Sequence, residues 1–169
     1  PQAVRFFPAV HPLAEGSEQE RELANRISKN FKQLQRWLSR DEIGCFRLYD
    51  RDLPHYNVLV EVYKKWVFVR EYRPPKQLDA KVAKRRVSEV ARVLRAVLDC
   101  GRDRLFIHRS QQAQVSTQDK EGLPRLFEVE EGDCAYLISL SGSPHTGLML
   151  AQRQLRQHIA RLAQGSELL

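Results

Sequence analysis

The stretch CFRLYDRDLPHYNVLVEVYKKWVFVREY, residues 45–72, decides the fold. It reads as three short strands, Cys45–Tyr49, Asn57–Tyr63 and Trp66–Tyr72, rich in β-branched and aromatic side chains. The turn-forming run Asp50-Arg51-Asp52-Leu53-Pro54 closes the first strand, Lys64-Lys65 joins the other two as a hairpin, and Pro74-Pro75 breaks the third. Upstream, Ser17 followed by Glu20 is a capping box that opens a helix running to about Arg40. Its apolar residues Leu23, Ile27, Phe31, Leu34 and Leu38 fall on one stripe about 80° wide, and Gly44 is the expected stop. Downstream, Asp79 caps a second helix with the stripe Ala83, Val87, Val90, Leu94 and Val97. That helix is expected to end at Cys100-Gly101, with Gly101 just past its last turn.

Two more strands follow, Arg104–Arg109 and Leu126–Glu130, separated by the polar loop Ser110–Gly122. Glu131-Gly132-Asp133 turns the chain into a last strand, Cys134–Leu140, and after the loop Ser141–His145 comes a third amphipathic helix, Ala151–Ala163. Strands on both sides of a long central helix predict an α+β sandwich whose mostly antiparallel sheet is covered on one face. An N-terminal and a C-terminal helix flank it. Residues 1–16, with three prolines and no period, read as an extended arm.

The chain has 169 residues, 42% of them apolar, with a mean hydropathy of −0.51, enough to bury a real core. No apolar run approaches the roughly 18 residues of a membrane-spanning helix, and the start lacks the layout of a signal peptide. Cys45, Cys100 and Cys134 are too few and too scattered for a disulfide scaffold, which predicts free, mostly buried thiols in a reducing cytoplasm. With no Met at position 1, the chain is expected to be a segment of a longer protein.

Charge is the informative feature. The net charge is +7, but up to Arg109 there are 23 Lys/Arg against 14 Asp/Glu, and from Ser110 onward 5 against 7. In the first helix Arg26, Lys29, Lys32, Arg36 and Arg40 share an arc of about 120° opposite the apolar stripe. In the second, Lys81, Lys84, Arg85, Arg92 and Arg95 share about 100°. A solvated helix face ordinarily mixes both signs, whereas rows of cations suit the phosphates of a nucleic acid. These ten residues are the candidate RNA-binding set; the alternative is an ordinary solvated face or one paired to acidic side chains.

Signals for bond chemistry are absent. Asp50 and Asp52 form a D-x-D pair, but ahead of a Pro such side chains cap turn amides more often than they hold a cation. The five histidines show no metal-ligand spacing. No nucleophile elbow and no glycine-rich phosphate cradle occurs. The segment is expected to have no catalytic, metal or cofactor-binding residues of its own.

Longer motifs are family-like. The run Asn25-Arg26-Ile27-Ser28-Lys29-Asn30-Phe31, then Trp37, then Cys45–Val58 with its R-L-Y-D-x-D-L-P-x-Y-N core, resembles one family of bacterial enzymes. So do Glu71-Tyr72-Arg73-Pro74-Pro75-Lys76, Leu126-Phe127-Glu128-Val129 and Thr146-Gly147-Leu148-Met149-Leu150-Ala151-Gln152-Arg153. The family is the fused 23S rRNA guanine methyltransferases, and the similar part is the start of their C-terminal, N7-guanine half. The resemblance covers about residues 17 to 169. It implies a strand-strand-helix-strand-strand accessory domain, RNA-facing, ahead of a Rossmann-like S-adenosylmethionine domain.

On that reading residues 17–145 are the accessory domain and 146–169 carry the first helix of a truncated methyltransferase domain. Its partners would be large-subunit ribosomal RNA and the neighbouring domain of the parent chain, with no membrane. The cofactor S-adenosylmethionine would belong to the parent enzyme, and this segment alone would be inactive. Two positions depart from the family pattern. Ala151 stands where an Asp is usual, and the loop beginning Ser110-Gln111-Gln112-Ala113-Gln114 lacks the usual Lys and Arg. The alternatives are a non-catalytic protein-interaction module and a free-standing RNA-binding module.

Overall fold

The computed structural model describes residues 10–73, 78–110, 125–141 and 143–163. Most of the arm, the Pro74-Pro75 break and nearly all of the Ser110–Gly122 loop lie outside the described residues. Helix α1 spans Glu18–Arg40 and opens on the expected capping box. Ser17 Oγ accepts from the Glu20 amide at 3.3 Å, while Glu20 Oε2 accepts from the Ser17 amide at 2.9 Å. Helix α2 spans Ala80–Val97, with the Asp79 carboxylate accepting from the Lys81 amide at 2.6 Å. Leu23, Ile27, Phe31 and Leu38 are buried, as are all five residues of the α2 stripe, and Leu34 is half-buried.

Both helix ends differ from expectation in the same way. The left-handed residue after α1 is Glu42 (φ 52°), not Gly44, and the Ile43 amide folds back to the Leu38 carbonyl at 2.9 Å. After α2 it is Asp99 (φ 45°), not Gly101, with the Cys100 amide on the Arg95 carbonyl at 3.1 Å. Gly44 serves a close approach instead, since a Cβ there would lie 3.2 Å from Lys64 Cγ.

Strands β1 (Cys45–Asp50), β2 (Val58–Tyr63), β3 (Trp66–Glu71) and β4 (Leu105–His108) form one sheet in the order β1-β2-β3-β4. The first three are antiparallel, with Tyr63 opposite Trp66 across the expected Lys64-Lys65 turn. β4 joins β3 in parallel, so α2 is the crossover between them. A bulge at Leu48 shifts the β1–β2 register and lets Leu48 and Tyr49 both enter the core under the helices.

The sheet is covered on both faces, not one. Strands β5 (Leu126–Glu131) and β6 (Cys134–Ser139) make a separate antiparallel hairpin. Its inward residues Phe127, Val129 and Ile138 pack with Tyr63, Phe68, Trp66 and Phe106 from the face away from the helices. The Phe127 ring meets Trp66 and Phe106 edge-on, with centroids 4.9 and 5.2 Å apart. This explains why all six residues of β2 are buried. Glu61 survives there because Arg47 Nη2 donates to it at 3.2 Å and the Tyr63 hydroxyl at 2.8 Å. The same Tyr63 hydroxyl lies 2.8 Å from Thr146 Oγ1, which ties the segment after β6 to the sheet. A single 3-10 turn, Leu150–Gln152, leads into α3, Arg153–Leu162.

Candidate nucleic-acid interface

Helices α1 and α2 pack side by side over one face of the sheet, so their outer sides form one surface of the molecule. The expected cations lie there. Lys29, Lys32, Arg36 and Arg40 on α1 are exposed and Arg26 is half-buried. Lys81, Lys84, Arg85 and Arg92 on α2 are exposed and Arg95 is half-buried.

Three of the ten are engaged within the chain. Arg40 Nε donates to Asp41 at 2.6 Å, and that bond holds the Asp41 carboxyl below its ordinary range. Arg85 pairs with Glu89 one turn on, at 3.5 Å. Arg92 crosses from α2 to pair with the buried Glu20 of α1. Burial works against the charge on Glu20, but the Ser17 amide and hydroxyl and the Arg92 guanidinium outweigh it and keep the carboxyl below its usual value. Arg92 is therefore an interhelical clamp. Arg26, Lys29, Lys32, Arg36, Lys81, Lys84 and Arg95 make no ion pair with any described residue. Seven cations without an ion pair among the described residues, on one helical layer, can neutralise several phosphates at once.

The D-x-D pair is used within the turn. Asp52 accepts from the Asp50 amide at 3.2 Å and from the Asn30 side chain at 2.7 Å. Asp50 takes Arg47, Arg51 and the Tyr72 hydroxyl, each at 3.0–3.1 Å. Among the described residues no group of three or more His, Cys, Asp or Glu could hold a metal.

Sequence reasoning missed two arrangements. The first is a groove of about 500 Å³ walled by the Arg51–Val58 turn and by Ala83, Arg86, Val87 and Val90 of α2. The second is a buried ionic cluster that fixes α3. Glu131 at the end of β5 accepts from Arg153 Nε at 2.9 Å and from Arg156 through two nitrogens at 2.9 Å each. Arg153 also donates to the Cys45 carbonyl and lies over the Trp37 ring at 5.6 Å. Arg153 closes the T-G-L-x-L run quoted above, so its presence was visible while its partners were not. With α3 held this way, Leu155, Ile159 and Leu162 are 54%, 47% and 69% exposed. No described helix is long and apolar enough to cross a membrane.

No family model matches the chain. Curated proteins do. It is 40% identical over 167 residues to the ribosomal RNA large subunit methyltransferase K/L of Syntrophotalea carbinolica, covering 98% of this chain and 23% of that protein. The protein of the same name from Desulfotalea psychrophila is 37% identical over 157 residues, covering 92% and 22%. That of Pseudomonas aeruginosa is 36% identical over 161 residues, covering 93% and 22%. The chain thus spans about 22% of the length of the curated relatives it matches.

Among solved structures, one described as a methyltransferase complexed with SAH superposes with a TM-score of 0.56 at 17% identity, over 86% of this chain and 36% of that one. One described as a SAM-dependent methyltransferase from Streptococcus mutans gives 0.57 at the same identity and coverage. At that identity the likeness is one of fold.

Proposed function

We propose that this chain is the accessory, RNA-positioning part of an S-adenosylmethionine-dependent large-subunit rRNA methyltransferase, from its C-terminal, N7-guanine half. The observation that carries the RNA role is the row of unpaired cations on the outer side of α1 and α2. Such a surface binds backbone phosphates, positions the substrate and carries no base identity of its own. The similarity to K/L methyltransferases over nearly the whole chain supports the parentage and makes large-subunit rRNA the natural partner, in the cytoplasm.

We assign no part of the methyl-donor site to the described helices. Each described α-helix starts away from a glycine-rich turn, α1 after Ser17, α2 after Asp79 and α3 after Gln152. These helix starts support placing the cofactor-binding residues in the rest of the parent enzyme. Residues 1–16 would be an arm whose end docks through Val10 and Leu13 on the helix-side core. Residues 17–145 would be the accessory domain, and 146–169 the first helix of the methyltransferase domain. The exposed row Leu155, Ile159 and Leu162 supports that last division, since it is an apolar helix face suited to a neighbouring domain.

Fluorescence anisotropy with a structured fragment of large-subunit rRNA tests the reading. Binding that weakens with salt and with loss of Lys29, Lys32 and Arg36 is the expected result. Salt-independent binding, or none, would overturn it.

A further inference from the structure

The groove between the β1–β2 turn and α2 has a feature that the cationic rows do not share, a flat cation held in place at its mouth. Arg51 adopts a left-handed backbone conformation (φ 55°), rare for a residue with a side chain, while its amide still donates to the Val58 carbonyl at 3.0 Å. Its Nε donates to Asp50 Oδ1 at 3.1 Å, and the same oxygen accepts from the Tyr72 hydroxyl at 3.0 Å. The shared acceptor lays the guanidinium against the Tyr72 ring, 4.2 Å from its centroid. Arg70 lies 5.2 Å from the same centroid. The Arg51 side chain is 55% exposed, so it is accessible to an incoming group.

The turn carrying Arg51 is rigidly built. The Tyr49 hydroxyl accepts from the Leu53 amide and donates to the Tyr56 carbonyl, both at 3.0 Å, and the Tyr56 hydroxyl donates to Glu89 of α2 at 3.2 Å. These are residues of the R-L-Y-D-x-D-L-P-x-Y-N run, so the most distinctive part of the sequence forms one wall of the groove. Leu53, Val58, Leu78, Ala83, Val87 and Val90 make much of the lining apolar, and the one carboxylate in it, Glu71, accepts from the Ser110 amide at 3.3 Å. At its edge Arg86 makes no ion pair with a described residue. The volume lies within the roughly 300–1,000 Å³ of sites that take a small ligand or a single residue of a polymer.

We propose that this groove receives an unpaired base of RNA, stacked on the Arg51 guanidinium, with a flanking phosphate on Arg86. The inference rests on the RNA-positioning role proposed above and deepens it. A largely apolar slot with a flat, exposed guanidinium and an unpaired cation in its lining is complementary to an aromatic heterocycle with a flanking phosphate. An apolar protein side chain entering the slot would fill the apolar part but offer nothing to Arg86. Single-stranded or bulged RNA would thus be held by the groove, and duplex phosphates by the outer rows of α1 and α2.

The experiment compares a fluorescein-labelled single-stranded RNA 12-mer with a duplex of the same length on the 169-residue chain. The proteins are wild type, Arg51→Lys and Arg51→Ala, with thermal melts run on each. Arg51→Lys keeps the charge but removes the plane. Both variants should lose about fivefold or more in affinity for the single strand, the scale of one stacked base, and change little for the duplex. A 12-mer carrying one 2-aminopurine should brighten on binding wild type, as the base leaves its neighbours for the groove, and brighten less when Arg51→Lys is saturated with it, which needs no comparison of affinities. Single-strand affinity unchanged in both variants with native melts, Arg51→Lys equal to wild type, or equal losses for single strand and duplex would overturn the groove assignment while leaving the RNA role standing. Failure of wild type to bind either RNA would overturn the RNA role and the groove together.

Discussion

Arg92 of α2 forms an ion pair with Glu20 of α1, whose side chain is only 3% exposed, and the same carboxylate closes the capping box on Ser17. One acid thus starts α1 and ties it to α2. The Glu20 carboxyl titrates below its unfolded value, so its contribution to stability is full above the ordinary carboxylate range and is lost as pH falls through the folded value. Glu20→Gln, which can keep the cap but not the charge, should cost about 1–2 kcal/mol near neutral pH. The gap to wild type should close in acid. Thermal melts of both proteins between pH 7 and pH 3 measure it, and a gap that stays constant would show that the ion pair contributes nothing.

The cluster at the other end of the molecule gives a local prediction. The Glu131 side chain is 6% exposed and serves both Arg153 and Arg156, so Glu131→Ala leaves two guanidinium groups without their acid. Breaking such a buried pair from one side typically costs about 3–5 kcal/mol. Amide exchange should show α3 losing protection first, with β1–β3 and α2 still protected. Uniform loss across the fold would mean that α3 is not separately anchored.

The three cysteines are free, with Cys45 and Cys100 buried and Cys134 exposed. Burial pushes the Cys45 thiol up to about 11 and raises Cys100 as well. A thiol reagent at pH 8 should therefore modify one site quickly in the native protein and three after denaturation without reductant. Peptide mapping should place the fast site at Cys134.

Isothermal titration of this chain with S-adenosylmethionine should show no binding heat, because the described helices begin without a glycine-rich turn. Micromolar binding would contradict the assignment of the cofactor to the rest of the parent enzyme.

The helices and their buried faces were legible because a period of 3.6 and a cap leave a direct mark on sequence. Helix ends were less so. Glu42 and Asp99 take left-handed positions that sequence reasoning reserves for glycine, and each has a glycine two residues on that attracts the assignment. The hairpin of β5 and β6 shows its alternation, but nothing local says which face of the sheet Phe127 and Ile138 will cover. The cationic rows could be seen on a helical wheel. That Arg92 is engaged by Glu20 could not, because the partners are 72 positions apart on different helices. The groove escaped for a related reason, since Tyr72 and Arg51 meet only when β3 lies beside β2 and the turn after β1.

If the outer side of α1 and α2 anchors RNA through its phosphates, as proposed, binding must depend steeply on salt. With about four phosphates neutralised, log K should fall against log salt with a slope of roughly −3 to −4 for wild type. Lys29, Lys32 and Arg36 are exposed and unpaired among the described residues, so replacing all three with Gln should change stability by about 0.5 kcal/mol or less per site. The triple variant should bind unrelated structured RNAs more weakly by a similar factor and show a slope shallower by roughly 2–3. A variant with a native melt, unchanged affinity and an unchanged slope would contradict the account.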